Sequence, residues 1–498
     1  MRKINIIFIT ALSLLAGISA AAQSRDFKLG QWTEIHNAIV KELSRSYVDS
    51  LPIDKMMRKG VDSMLEQLDP YTVYIPEEEN EDLQMMLSKT YGGIGAIIHK
   101  KKEDNVIINE PYFGSPAHKY GLQCGDEILE IDGLPTKGLE TKESSDRMKG
   151  KPGTKVVFKV RKVRTGDTLD IPVIRERIHF PDIEYSGMLD DTTGYILQSG
   201  FTEGVAQQLK GRFLDLKSKG MKRLVLDLRG NGGGLMSEAV NIISLFVPKG
   251  SLAVSSKGKR ESREFRTQTE PVDTLTPIIV MIDGGSASAS EIVSGGLQDL
   301  KRAVIKGTTS YGKGLVQSIR PLPYNGQMKI TTAKYYTPSG RCVQGVGVKP
   351  DVEIDIPQYS RLVYSLVLGG VIDQYVLKFA REHESIPVPE EYHFSDRDFE
   401  DFIDFAKTQD FDYRSSAKAT FDKMKEELEK DGLAEVMSSE LSALEKALEM
   451  DKERFIRLKK DEIIPFIEEE ITTRYHFQEA GVKIRLRYDK QLLEALLK

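Results

Sequence analysis

The sequence predicts a layered α/β core with a small β-rich module in front of it and helices at both ends. Three stretches carry that prediction. Ile278-Ile279-Val280-Met281-Ile282 is an apolar run of β-formers that reaches Asp283-Gly284-Gly285 and passes through Ser286-Ala287-Ser288-Ala289-Ser290 before taking up helical spacing. That reads as a buried strand, a sharp turn and a helix start. Arg223-Leu224-Val225-Leu226-Asp227-Leu228-Arg229 is a second strand, running into Gly230-Asn231-Gly232-Gly233-Gly234 and a helix expected from about Ser237 to Leu245. Gly194-Tyr195-Ile196 and Ala303-Val304-Ile305 add buried strands, and Phe201 to Lys219 adds a helix. Strands and helices in alternation are the mark of a layered α/β domain.

From the start, Met1 to Ala22 opens on Arg2 and Lys3, continues through Ile6-Ile7-Phe8-Ile9 to Leu14-Leu15, and closes on Ala20-Ala21-Ala22. A basic n-region, a short apolar stretch and small residues at the end read as a signal peptide cleaved after Ala22. The apolar part is shorter than the ~20 residues of a membrane span, and no cysteine follows it to carry a lipid. The expectation is an exported protein in the periplasm. At 498 residues the chain has room for about three domains of ~150 residues. A net charge of −5 gives no reason to expect nucleic acid or an anionic membrane as partner. Cys124 and Cys342 are too few for a zinc site and read as unpaired, partly buried thiols. The seven histidines show no metal-ligand spacing, and none falls between Ser288 and Gln317.

Trp32, Ile35, Ile39, Leu43, Met56, Val61, Met64 and Leu65 recur at helical spacing until Leu68-Asp69-Pro70-Tyr71 stops the pattern. Tyr91-Gly92-Gly93-Ile94-Gly95 then opens a module that continues through Val106-Ile107-Ile108, Gly125-Asp126-Glu127-Ile128-Leu129-Glu130-Ile131-Asp132-Gly133 and Val156 to Arg161. This set resembles a PDZ domain of the bacterial type. The resemblance implies a groove that takes up a chain end as an added strand, with Gly92, Gly93, Ile94 and Gly95 holding the terminal carboxylate on backbone N–H groups. After the core, Thr332 to Pro338 is expected as an edge strand. Beyond Ile356 the chain turns to long charged helical segments, Phe399 to Lys407, Ala417 to Lys430 and Leu433 to Ile471, with interruptions at Pro387, Pro389 and Pro465. Dimerisation, substrate gating and a plain appendage all stay open for that region.

The chemistry centres on the turn after Ile282. Small residues there let a nucleophile stand clear of the backbone beside a helix N-terminus, where free N–H groups favour negative charge. A serine-rich loop capping an ordinary helix is the plainer reading, and the alternation of Ser286, Ser288 and Ser290 does not choose among them. The glycines at 230–234 allow N–H groups to turn toward an anion, as an oxyanion hole needs. Lys313, in Tyr311-Gly312-Lys313-Gly314-Leu315-Val316-Gln317, stands among glycines and apolar residues. An ordinary lysine, with pKa ~10.4, is charged at neutral pH, and burial is what makes a neutral amine available as a base. Glu291 reads as a helix cap, and Asp227 and Arg229 as residues that fix the glycine loop.

Leu226 to Gly234, Ser286 to Glu291 and Tyr311 to Gln317, in this order and spacing, closely resemble the carboxyl-terminal processing (tail-specific) proteases. These are serine peptidases with a Ser/Lys dyad. The resemblance spans roughly Leu68 to Asp351. It implies a core of ββα units, crotonase- or ClpP-like, with the PDZ domain inserted. It places the catalytic serine on Ser288, the lysine on Lys313, a supporting glutamine on Gln317, and the oxyanion donors on the N–H groups of Ala289 and Gly234, with Gly233 as second choice. No cofactor and no metal is implied. The expected domains are a signal peptide (1–22), an N-terminal helical segment leading into the core (23–85), a PDZ domain (86–178), a protease core (179–357) and a C-terminal helical region (358–498).

The function so implied is an exported serine endopeptidase acting on proteins or peptides captured by their C-terminus. For the N-terminal helices, dimer contacts and simple packing onto the core both stay open, as does an adaptor or activating partner. Two other readings stand beside it: a non-catalytic PDZ adaptor on a dead protease core, and an ester or thioester hydrolase.

Overall fold

The structure, a computed structural model, describes residues 26–99, 104–259, 261–448 and 451–497; the expected signal peptide lies outside them. The described residues fall into two units. The first runs to Ile75 and includes Ile319–Ile330. Within it, a helix over 26–46 and the helix Ile53–Glu66 precede the strand Val73–Ile75, which pairs antiparallel with residues 327–329. Arg58 fixes this end by bonding Asp62 and the Tyr74 carbonyl. The first helix leaves Phe27, Leu29, Trp32, Ile35 and Ile39 exposed, the last three as an apolar stripe on one face.

The second unit, Pro76–Ser318 with the residues from Thr331 on, holds the rest. Its centre is a six-stranded sheet in the order Ile183–Met188, Thr193–Gln198, Arg223–Asp227, Ile278–Ile282, Val304–Gly307, Val352–Glu353. The first pair is antiparallel and the others are parallel. Strands buried on both faces read as continuous apolar runs, which is why Leu224-Val225-Leu226 and Ile278 to Ile282 stand out in the sequence. Helices Val205–Ser218, Met236–Ser244 and Ala289–Asp299 cover one face, closing a core around Leu209, Phe213, Leu226, Ile243, Val280 and Val293. The helix expected from Phe201 starts only at Val205, because the Phe201 backbone is taken by a bridge to Gly234.

A second correction concerns the segment from Thr332. It is not an edge. Ala333 to Tyr336 pair with Gly258 to Ser255 on one side, while Tyr335 N–H donates to Gly314 C=O on the other. The strand therefore carries the lysine loop on its flank, a task no edge strand performs.

The PDZ-like module is a six-stranded antiparallel sheet with Ala96–His99 at its edge and the helix Thr141–Met148 beside it. Asp126 explains the Gly-Asp signature. Its wholly buried carboxylate takes the N–H groups of Gln123 and Val163 and the Lys162 ammonium. Cys124 and Cys342 are free thiols.

The described residues of 361–497 are mostly helical, around Leu366, Tyr375, Phe402, Ile463 and Ile467. The expected interruption at Pro465 does not occur: Pro465 lies inside the helix Lys460–Tyr488, and the kink falls at Phe477 (φ 67°, ψ 179°). Pro465 is the sixth residue of that helix, so it forfeits the bond to the Asp461 C=O without ending the helix, while the buried Ile463 and Ile467 beside it hold the helix against the core. Phe477 makes ring contacts with Phe113 and His118 of the PDZ-like module. The same seam carries Arg474, whose guanidinium bonds Cys124 Sγ and Asn109 Oδ1, and Gln478, which donates to Glu110. Further on, Val482, Leu486, Leu492 and Ala495 pack against Tyr195, Val225 and Met281 on the face of the core sheet left open by the other helices.

Candidate active site

Of the three alternating serines, two are used up by structure. Ser286 is fully buried and donates to Leu228 C=O at 2.7 Å; Ser290, also fully buried, donates to Asn231 C=O at 2.8 Å. Ser288 is half-buried, caps the helix Ala289–Asp299 and has a backbone at φ 56°, ψ −111°. A non-glycine residue held in that region is strained, and such strain gathers at functional turns.

The glycine loop is pressed against this turn. Asn231 organises it: Nδ2 donates to Gln198 C=O at 2.7 Å, Oδ1 accepts the Gly233 N–H at 2.9 Å, and the Asn231 C=O accepts the Ala287 N–H at 3.0 Å. A Cβ at Gly233 (φ +97°) would stand 2.8 Å from both Ser288 Cβ and the Ala289 nitrogen, so only glycine fits. The Gly233 N–H is committed to Asn231, whereas the N–H groups of Gly234 and Ala289 donate to no group among the described residues.

Lys313 is half-buried on the loop that follows Val304–Gly307. One carboxylate ties this loop to Ser288. Glu291 is fully buried; its Oε2 accepts the N–H groups of Ser288 (2.8 Å) and Lys313 (2.9 Å), and its Oε1 accepts from Gly312 N–H (2.7 Å) and Ser310 Oγ (2.6 Å). Tyr335 adds its hydroxyl at 3.3 Å, and burial first, then the neighbouring Glu291 charge, raises that phenol well above its ordinary value. Gln344 Oε1 holds the Gly314 N–H at 2.8 Å. Gln317 lies one helical turn's worth of sequence further, on the strand Leu315–Pro321, with its Nε2 3.4 Å from Thr331 Oγ1.

Two aspartates brace both loops, one partly exposed and one buried. Asp283 Oδ1 takes the N–H groups of Gly230 and Gly285, joining the glycine loop to the serine turn. Asp227, 1% exposed, accepts from Tyr195 Oη, from the Arg229 guanidinium and from the Arg229 N–H. Burial opposes the Arg229 charge; Asp227 and then Asp489 more than restore it, and its pKa is raised.

In the PDZ-like module, Gly92 and Gly93 belong to the strand Thr90–Gly93, paired with Glu176–His179, so Ile94 and Gly95 alone form the turn into Ala96–His99. A Cβ at Gly95 (φ +72°) would meet Ser115 Cβ at 2.5 Å. Burial raises the Tyr91 phenol above its ordinary value, and the nearby Gly95 backbone offsets part of that rise. From this turn a cavity of about 170 Å³ runs between strand and helix, walled by Ile94, Ala96, Ile98 and Met148.

Comparison with known proteins now bears on this arrangement. Residues 192–354 match Peptidase family S41, residues 107–162 a PDZ domain, and residues 362–497 the C-terminal helical domain of a probable PDZ-protease. The carboxy-terminal-processing protease of Bartonella bacilliformis is 36% identical over 381 residues, which cover 74% of this chain and 86% of that protein. The chain belongs to the carboxy-terminal processing protease family.

A second member, the carboxy-terminal processing protease CtpA of Bacillus subtilis, is 31% identical over 359 residues, 72% of this chain and 75% of its own length. Among solved structures, the photosystem II D1 C-terminal processing protease is 27% identical, covering 65% of this chain and 86% of that one at a TM-score of 0.41. As a member of a serine peptidase family with a PDZ domain, this processing protease is an enzyme, which does not favour the adaptor reading. Sequence reasoning found the serine turn, the glycine loop and the lysine loop of the processing protease. It gave Glu291 only a capping role, although the Ser-x-x-Glu spacing was its visible half. It missed Asn231, Ser310, Tyr335 and Gln344, whose contacts span 19 to 59 residues of sequence or meet only in the folded loops.

Proposed function

We propose that Ser288 is the nucleophile and Lys313 the base of a serine endopeptidase that captures its substrates by their C-terminus. The observation that supports it best is the Glu291 carboxylate oxygen that holds the backbone N–H of both Ser288 and Lys313. The turn of one residue and the loop of the other thus form a single body.

The neutral Lys313 amine takes the Ser288 hydroxyl proton as Oγ attacks the peptide carbonyl. The oxyanion collects on the N–H groups of Ala289 and Gly234, and the Lys313 ammonium returns its proton to the leaving amine. Water then attacks the acyl ester, again giving a proton to Lys313, and the new carboxylate leaves as Ser288 regains its hydrogen. Gln317 orients the lysine amine. The turn at Gly92 to Gly95 holds the substrate's terminal carboxylate, and the cavity beside Ala96–His99 takes its apolar end as an added strand. The basic, then apolar, then small-residue pattern of residues 1–22 supports export, and the exposed apolar stripe of helix 26–46 supports a homodimer.

Digestion of an unfolded protein by wild type, Ser288→Ala, Lys313→Ala and Lys313→Arg tests the dyad. All three variants are expected to lose turnover by several orders of magnitude with an unchanged melting temperature, since a guanidinium does not deprotonate in this range. A Lys313→Ala enzyme with near-normal turnover overturns the assignment.

A further inference from the structure

The C-terminal helices do more at the core than cover a sheet face. Arg229, the first residue of the turn that leads to Gly234, shares its guanidinium between two carboxylates from distant parts of the chain. Asp227 takes Nε and Nη2; Asp489 takes Nη2 at 2.5 Å and Nη1 at 3.2 Å; Gln491 Oε1 takes Nη1 at 2.9 Å. Asp489 is itself well placed. It sits between the helices Lys460–Tyr488 and Lys490–Leu497, and its Oδ1 caps the second by accepting the Leu492 N–H. Gln491 Nε2 donates to Ile354 C=O at 2.8 Å, and the Lys306 ammonium donates to Ala495 C=O at 2.8 Å. The segment is thus bolted to the strand ends by polar contacts as well as by Leu492 and Ala495.

We infer that Asp489 is a positioning residue for peptide hydrolysis, acting through Arg229 on the oxyanion loop. The inference rests on the reading of the Gly234 N–H as an oxyanion donor. A guanidinium between two carboxylates is fixed in plane and direction by bidentate bonds. Fixed in this way, it keeps Asp227 aligned to accept the Arg229 N–H, where the strand Arg223–Asp227 gives way to the glycine loop. Take Asp489 away and two guanidinium donors lose their partner beside a cavity of about 510 Å³ lined by Asp227, Arg229, Gly230 and Asp283. The arginine then turns toward that space and pulls on the carboxylate that sets the loop's first residue. Gly234 is displaced relative to Ala289. Substrate is still captured, because the groove lies elsewhere, but the tetrahedral intermediate loses part of its stabilisation.

The test uses the full chain. Asp489→Ala and the isosteric Asp489→Asn, which keeps one acceptor for Arg229 and with it the fold, are compared with wild type and with Arg457→Ala, which removes an exposed ion pair on the helical region. Each is assayed for kcat and KM on one peptide and for the rate of Ser288 labelling by a fluorophosphonate, which also builds negative charge at the oxyanion position. Expected are a kcat at least tenfold lower for Asp489→Ala, a smaller loss for Asp489→Asn, KM within twofold, and labelling slowed in parallel, with Arg457→Ala unchanged. Wild-type kcat in folded Asp489→Asn and Asp489→Ala overturns the inference, and so does a loss confined to KM. A Ser288→Ala control separates the layers: if it still cleaves, the parent reading fails, whereas a silent Ser288→Ala beside a fully active Asp489→Ala defeats the present inference alone.

Discussion

Two buried glutamates show how differently the serine turn and the seam between the PDZ domain and the C-terminal helices are built. Glu291, fully buried, takes four donors within 3.0 Å and a fifth from Tyr335. Glu110, 3% exposed, has the Gln478 amide on Oε2, while its Oε1 has no partner among the described residues. Burial pushes the Glu110 carboxyl up to about 7; the Gln478 bond works against that, Glu470 adds to it and Arg474 subtracts. A carboxylate ringed by donors is a fixed joint, because moving any neighbour leaves a buried polar group unpaired. A carboxyl left half-satisfied is a joint whose strength follows its protonation. The peptidase spends its donors where atoms must not move and withholds them where two domains meet.

Glu291→Gln attacks the fixed joint. Oε1 accepts two N–H or O–H donors and Oε2 three, so the new NH2 group faces donors whichever way it turns. Each buried donor left unmatched costs about 1–3 kcal/mol, and with the serine and lysine loops no longer tied, kcat is expected to fall on the order of 100-fold or more. Steady-state kinetics on protein that retains its circular dichroism check this; a loss under fivefold means the loops hold each other without the carboxylate.

Glu110→Gln addresses the other joint. The folded-state pKa of about 7 stands above the ordinary 4.5, so the native protein holds a proton that the unfolded chain releases between those values. Its stabilising contribution is complete below pH 4.5 and is lost as pH rises through 7, a swing of about 3 kcal/mol. Melting temperatures of wild type should decline across that window, and Glu110→Gln should flatten the decline while keeping an acceptor for Gln478. Identical profiles for the two proteins exclude Glu110 as the source.

The smallest effect belongs to the substrate. Charge-assisted bonds to a terminal carboxylate contribute roughly 1.5–3 kcal/mol each, so amidating the C-terminus of a peptide substrate is expected to weaken its handling by at least tenfold in kcat/KM. Matched acid and amide peptides, run against wild type, decide it; equal rates remove the carboxylate from recognition and leave the Ser288 and Lys313 chemistry standing.

Legibility in the sequence followed the range of the contacts. Strands such as Ile278–Ile282 and the glycine loop were readable because a buried strand and a tight turn write themselves into consecutive residues. The cap between Ser288 and Glu291 was readable for the same reason. The reach of Glu291 to Gly312, Lys313 and Tyr335 was not, since those donors come from separate loops. Pro465 misled because packing of Ile463 and Ile467 carries the helix past one missing hydrogen bond, and Phe477 was invisible because packing against Phe113 and His118, not a propensity, bends the chain there. The segment from Thr332 looked like an edge because alternation shows which face is buried and not how many neighbours a strand has.

The span of the Arg229–Asp489 contact, 260 residues, has a consequence for the birth of the enzyme. Synthesis proceeds from the N-terminus at ~5–20 residues per second, and domains fold as they emerge. Ser288 and Lys313 are 25 residues apart in the sequence, so their part of the site can form as soon as the core strands are out. Loops closed by short separations form early, and long-range closures come late. Residues 489–491 arrive after everything else in the site, and until they dock, Arg229 has only Asp227 to hold its guanidinium.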